Sequence, residues 1–380
     1  MRILILGGSG ILSTDFTRSV IKQGHDVTVV NRGKRKSNIE EQYRHLITDF
    51  KNNSIDELRR IIGISRYDVI IDFLSFNVDQ INKTMCILKG LFNQYIFISS
   101  ATVYKSVSES ELINEKSEIG NELWSYAYDK YLCECYLVKY AQTENINYTI
   151  IRPYVTYGLT RIPFGLIPDE NFTLINRMIC GKPIVLWDGG RAISTLTNTK
   201  DFAAALTKIL LNPRAYNESI HITSSEQLTW SSITEIIYSK LNLSKCIIAI
   251  PKEYIVEQMP EFKGILCGDK GRNMQFDNSK LLSIIPKFEF NIPFSNGIAD
   301  TIDYYFDNPH KQIVNYKWDA KIDNMISKYL KQHPKIKIDK STISIKAYKN
   351  KLGIKEKIIY TVYRNDVTLG IIRIIKKIIK

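Results

Sequence analysis

With 380 residues, 44% of them hydrophobic and 24% charged, the chain can bury a sizeable core without covalent staples, as one large α/β unit or two modest domains. Its composition is that of a soluble globular protein, and its net charge of +13 sits mostly at one end: residues 331 to 380 hold 14 Lys+Arg against 3 Asp+Glu. The six cysteines (Cys86, Cys133, Cys135, Cys180, Cys246, Cys267) are scattered as reduced cytoplasmic thiols are, and Cys133 and Cys135 have no His or second Cys pair at ligand spacing, so no metal site is expected.

The opening MRILILGG has too few apolar residues before its glycines for a signal-peptide core or a membrane span, and reads as a buried strand over Ile3 to Leu6. Further short apolar runs predict strands at Val27 to Val30, His45 to Thr48, Val69 to Asp72, Tyr95 to Ile98 and Tyr148 to Ile151. Helical patterns lie between them, starting near Ile11, Ser54, Val78 and Ser125, each bounded by ordinary cap residues. This alternation predicts a doubly wound parallel sheet of the α/β class. After Arg152-Pro153 the pattern breaks into short pieces around Pro163, Pro168, Pro183 and a Trp187-Asp188-Gly189-Gly190 turn. A strand near Ser219 to Ile222 and helices near Trp230 to Leu241, Ser279 and Asn296 complete a fold by about residue 310.

The first strand runs into Gly7-Gly8-Ser9-Gly10-Ile11-Leu12-Ser13, which opens a helix. Glycines there let the backbone approach a pyrophosphate, whose charge the helix N-terminus then holds. Ser13 stands where a third glycine is usual and is expected to loosen the helix-sheet packing slightly. The second strand ends Asn31-Arg32-Gly33-Lys34-Arg35, with no carboxylate for ribose hydroxyls but several cations for a 2′-phosphate, which favours NADP and leaves NAD open. Asp49 and Phe50 end the third strand, where they can meet an adenine.

Tyr126 and Lys130 stand four apart on one face of a helix, and an ammonium one turn from a phenol brings its pKa toward working pH for proton exchange with a substrate hydroxyl. Upstream, Ser99-Ser100-Ala101-Thr102-Val103-Tyr104 puts hydroxyls at the carboxyl edge of the sheet, where ligands of such sheets bind.

Taken jointly, these motifs resemble the extended short-chain dehydrogenase/reductase family, the nucleoside-diphosphate-sugar epimerases and dehydratases, over residues 1 to about 310. The resemblance implies Ser100, Tyr126 and Lys130 as catalytic residues, Glu134 as the acid usual four positions after the lysine, and Arg152-Pro153-Tyr154-Val155-Thr156-Tyr157-Gly158 as the segment whose proline lies beside the nicotinamide. It completes a cofactor set of Gly7, Gly8, Ser9, Gly10, Ile11, Leu12, Asn31, Arg32, Lys34, Asp49, Phe50, Phe73, Tyr126, Lys130 and Pro153. The implied organisation is a Rossmann domain over 1–158, a smaller substrate-side domain over 159–310 with some elements returning to it, and a basic extension over 311–380. Two departures bear on the reaction. The loop after Ser100 lacks the Asp-Glu pair of dehydratases, which disfavours elimination of water. Ser194 stands in place of a diphosphate-gripping arginine, and Arg191 is the substitute considered.

The expected enzyme is therefore an NADP- or NAD-dependent epimerase or keto-reductase acting on a nucleotide-linked sugar, cytoplasmic, with a homodimer open. The tail lies outside the resemblance. Its last stretch, Leu369 to Lys380, sets isoleucines at helical spacing opposite cations, an amphipathic pattern that suits an anionic membrane surface, such as the inner membrane face, or packing on the enzyme body. If the tail is a membrane-surface anchor, a chain ending near Asn308 is expected to keep its activity but to stop sedimenting with anionic vesicles. The alternative from another class is a dinucleotide-fold protein that binds RNA or DNA through this tail. The scarcity of aromatic residues beyond Tyr348, Tyr360 and Tyr363 counts against nucleic acid, as does the complete Ser-Tyr-Lys set.

Overall fold

The structure, a computed structural model, describes residues 1–34, 39, 42–105, 111–164, 166, 172–339, 341–344 and 352–365. The chain forms two compact units, one of Met1–Gly158, Ile193–Leu228 and Cys267–Phe294, the other of Leu159–Ala192, Thr229–Leu266 and Ser295–Lys380.

In the first unit, short and mostly apolar runs form β1 (Arg2–Leu6), β2 (Asp26–Asn31), β4 (Tyr67–Asp72), β5 (Phe92–Ile98) and β6 (Tyr148–Pro153), and the more polar Arg44–Ile47 forms β3. With the strand Glu218–Ile222 they make a seven-stranded sheet in the order Glu218–Ile222, β6, β5, β4, β1, β2, β3, every pair parallel. Runs such as Ile3–Leu6 and Val69–Ile71 are buried on both faces, because helices cover each side of a parallel sheet. One face packs Phe16 and Val20 of α1 (Ile11–Lys22) beside Phe202, Leu206 and Ile209. The other packs Leu58 and Ile62 of α2 (Ile55–Ile62), Ile81 and Met85 of α3 (Val78–Leu88) and Leu137 of α4 (Ser125–Glu144). The starts of α2 and α3 are capped as the sequence suggests: Ser54 Oγ accepts from Glu57 N at 3.2 Å and Asn77 Oδ1 from Gln80 N at 3.0 Å.

The strand order reverses at β1, which has β2 on one side and β4 on the other. The loops after β1 and β4 therefore flank the crevice at the carboxyl edge that open α/β sheets use for ligands.

In the second unit the strand Ile184–Trp187 pairs in parallel with Ile247–Ile250. The helix Tyr316–Gln332 buries Ala320, Met325, Ile326 and Leu330 together with two carboxylates, Asp319 and Asp323. Each of those carboxylates takes both Arg177 and Lys182, at 2.5 to 2.8 Å, and all four side chains are at most 1% exposed. Tyr360, from the helix Ile354–Arg364, donates its hydroxyl to Asp323. This counts against the membrane-anchor expectation under which a chain ending near Asn308 keeps its activity, because removing Asp319 and Asp323 would take both carboxylates from two buried cations. The amphipathic stretch Leu369 to Lys380, like Arg35, lies outside the described residues. No described helix is long and apolar enough to cross a membrane.

Candidate active site

The turn after β1 is tight for two reasons. Gly7 has φ +93°, and a Cβ there would lie 2.9 Å from Leu74 Cδ2; a Cβ on Gly8 would lie 2.7 Å from Val29 Cγ1. The backbone thus runs flush against β2 and the loop after β4, the close approach a pyrophosphate cradle requires. Ser13 is not the weak point expected of it. Its Oγ donates to Gly7 O at 2.6 Å and accepts from Gly10 N at 2.8 Å, so a buried hydroxyl braces the turn that a third glycine would leave unbraced. Phe73 is half-buried beside Gly7, its ring 6.2 Å from that of Phe16.

At the end of β2, Asn31 Oδ1 accepts from Gly33 N at 2.7 Å and pairs with His45 Nε2 at 2.9 Å, while Arg32 and Lys34 are exposed. Asp49 takes Lys51 N, Asn52 N and Asn52 Nδ2 as donors, and Phe50 is buried in the apolar cluster with Leu6, Val30 and Leu58. Pro153 is buried at the end of β6, paired with Ile222.

At the end of β5, Ser100 Oγ accepts from Thr102 N at 3.3 Å and from Thr102 Oγ1 at 2.9 Å, fixing the single turn Ala101–Val103. Lys130 reaches the same edge from α4: its Nζ donates to Ile98 O at 2.8 Å, two residues before Ser100, and to Ser75 O at 2.6 Å. Nζ also lies 4.5 Å from the Phe76 ring centroid and 4.8 Å from that of Phe97. Burial brings the Lys130 pKa down to about 8, against the opposing pull of the acidic groups Asp72, Cys133 and Glu134. Tyr126, one turn earlier, is half-buried between Trp124 and Phe76, ring centroids at 4.9 and 6.4 Å. Ser100, Tyr126 and Lys130 therefore all lie in the first unit, Ser100 just after β5 and the other two on α4. Arg191 is exposed in the second unit, just after the turn Asp188–Gly190.

A buried polar chain supports this edge from below. Glu134 pairs with Arg152 through two hydrogen bonds at 2.6 and 3.0 Å and accepts from Ser99 Oγ at 2.5 Å. Arg152 Nη1 donates to Tyr104 OH at 3.0 Å, and Tyr104 meets His221, whose imidazole pKa burial pushes down.

Beside this chain, Tyr154 OH, Ser194 Oγ, Asp269 Oδ1 and Arg272 Nε are buried polar atoms with no well-formed hydrogen bond among the described residues. They are neighbours, since Asp269 and Ser194 bear directly on the Tyr154 phenol and Arg272 bears on both Tyr154 and Asp269. Sequence reasoning quoted Tyr154 and Ser194 only as parts of motifs and passed over Asp269 and Arg272. Burial without a well-formed hydrogen bond marks them, and no local pattern encodes it.

The profile described as the NAD dependent epimerase/dehydratase family matches residues 3–222. The chain belongs to this family. Its glycine turn, serine loop and Tyr-Lys pair all fall inside the matched region. A "Chloroplast stem-loop binding protein of 41 kDa b" of Arabidopsis thaliana is 27% identical over 247 residues, 62% of this chain and 61% of that one, so the chain spans about three-fifths of that relative's length. A 2'-dehydrokanamycin reductase of Streptomyces kanamyceticus is 23% identical over 290 residues, 76% of this chain and 80% of that one. The crystal structure of a UDP-glucuronic acid 4-epimerase from Bacillus cereus, in complex with UDP-glucuronic acid and NAD, shares the fold with a TM-score of 0.66 at 17% identity, covering 81% of this chain and 99% of that one.

Proposed function

We propose that the protein is an NAD(P)-dependent epimerase or keto-reductase acting on a nucleotide-linked sugar through Ser100, Tyr126 and Lys130. The observation that carries this reading is the seating of Lys130: a buried ammonium tied to Ile98 O, at the strand end that leads into Ser100, and one helical turn from Tyr126. Of its three donors two are used by carbonyls, and the third is left for a cofactor ribose hydroxyl. Its charge lowers the cost of forming the Tyr126 phenolate, so Tyr126 takes a proton from, or returns it to, the substrate hydroxyl. Ser100 Oγ is an acceptor in both of its bonds, so its own proton is available to the reacting oxygen.

The nicotinamide, when bound, accepts and returns the hydride. The residues for holding the dinucleotide fit: the Gly7–Gly8 cradle braced by Ser13, with Arg32 and Lys34 exposed at the end of β2. Those cations, and the absence of a carboxylate at Asn31, favour NADP. The names of two relatives, a reductase and a UDP-sugar epimerase, agree with this class. Nucleic-acid binding has only the basic tail and the name of one relative behind it.

The test is to incubate the full chain, with NADP(H) and NAD(H) in turn, with a panel of UDP- and dTDP-sugars and their 4-keto forms, following absorbance at 340 nm and product by mass. Turnover lost in Tyr126→Phe is the expected result. A protein that binds the dinucleotide yet converts none of the panel would overturn the sugar-nucleotide reading.

A further inference from the structure

The fourth strand ends in an acid that no step above uses. Asp72 is fully buried, and its four donors are all neutral: Leu74 N at 2.7 Å and Ser75 N at 3.0 Å on Oδ1, Ser75 Oγ at 2.5 Å and Tyr95 OH at 2.6 Å on Oδ2. The two backbone bonds wrap residues 73–75 around the carboxylate, and the carbonyl at the end of that wrap, Ser75 O, is the one that accepts from Lys130 Nζ at 2.6 Å. A carboxylate taken out of water needs more than neutral dipoles, because its charge must be balanced nearby. Lys130 has the complementary problem, a buried ammonium whose direct partners are two carbonyls and two rings.

The titratable groups facing Lys130 are Asp72 from β4 and Cys133 and Glu134 from its own helix. Burial raises the Cys133 thiol to about 12, so it is uncharged at neutral pH. The charge of Glu134 is met by Arg152. Asp72 is thus the negative charge left to balance Lys130.

We propose that Asp72 is a positioning residue of this site, holding the Ser75 carbonyl against Lys130 and supplying the buried negative charge that keeps the ammonium protonated. The assignment rests on the role given to Lys130 above, but its test does not need a substrate. In full-length protein labelled with 13C at lysine Cε, the Lys130 resonance, identified by its loss in Lys130→Met, is titrated from pH 6 to 10. The wild-type midpoint should lie near 8.

In the isosteric Asp72→Asn the midpoint should fall by about one unit or more, the scale of a neighbouring opposite charge. Lys130 would then pass from mostly protonated to mostly neutral at pH 7.5. An unchanged midpoint would overturn the proposal. Tyr95→Phe keeps the carboxylate but removes a dipole whose positive end faces it, so there the midpoint should rise; a constant or lower value overturns the proposal. This variant carries the test alone should Asp72→Asn fail to fold. Dinucleotide binding, measured separately by calorimetry on wild type, tells failure of the proposed function from failure of this inference.

Discussion

Replacing Asp323 with alanine should destabilise the second unit far more than removing any surface charge. Arg177, Lys182, Asp319 and Asp323 form a set of two cations and two carboxylates, each side chain at most 1% exposed. Taking away Asp323 leaves two buried cations sharing one carboxylate and strips the Tyr360 hydroxyl of its acceptor. Breaking a buried ion pair on one side costs about 3–5 kcal/mol, because the remaining charge stays desolvated. For a unit of this size that corresponds to a fall of about 10 °C in melting temperature. Urea denaturation followed by circular dichroism measures it, with Glu235→Gln at the exposed Lys245–Glu235 pair as a control that should change little. The set also predicts an acid limb. Burial alone would raise the Asp323 pKa, but Arg177 and Lys182 together bring it below the usual carboxylate range. Asp323 therefore contributes stability that is present above about pH 4, its unfolded value, and is lost as pH falls through the lower folded value. Asp323→Ala should flatten that limb. A loss of under about 1 kcal/mol at neutral pH, with the acid limb intact, would refute the reasoning.

Three further outcomes follow from the first unit. Tyr126→Phe should cut kcat by at least about 100-fold while leaving dinucleotide affinity within a few-fold, because only the exchangeable proton is lost; steady-state kinetics and calorimetry check this, and retention of a tenth of the activity would count against the role. Arg32→Ala should weaken NADP more than NAD in the same calorimeter, and equal weakening would mean that the loop does not meet the 2′-phosphate. Ser13→Ala should lower stability by about 1–3 kcal/mol, since Gly10 N–H is left without its acceptor and Gly7 O without its donor, and an unchanged melting curve would show that the turn holds without the hydroxyl.

The central strands of the sheet are legible in the sequence because they are apolar runs buried on both faces, and a run such as Val69 to Ile71 has no other low-energy use. Strand Arg44–Ile47 is offset by one residue from its predicted span, as expected at a half-exposed edge where hydrophobicity marks the boundary poorly. Ser13 was misread because the glycine rule speaks of bulk, whereas the hydroxyl acts through hydrogen bonds to Gly7 and Gly10. The part played by the chain past Asn308 is hidden for a different reason: the carboxylates Asp319 and Asp323 meet Arg177, 142 residues away from Asp319 in the chain. Asp72 shows the same limit, since its donor Tyr95 and the lysine it faces come from separate elements and share no periodicity with it. Position along one element is readable; pairing across elements is not.

On the proposed function, the Gly7–Gly8 turn and Lys130 hold a nicotinamide dinucleotide. Native mass spectrometry of the full-length protein, purified gently and then mixed with NADP or NAD, tests it directly. A one-to-one complex is the expected result, stronger with NADP, with the complex weakened in Lys130→Met and in Gly8→Val. If neither dinucleotide binds, or if both variants bind as well as wild type, the claim is contradicted.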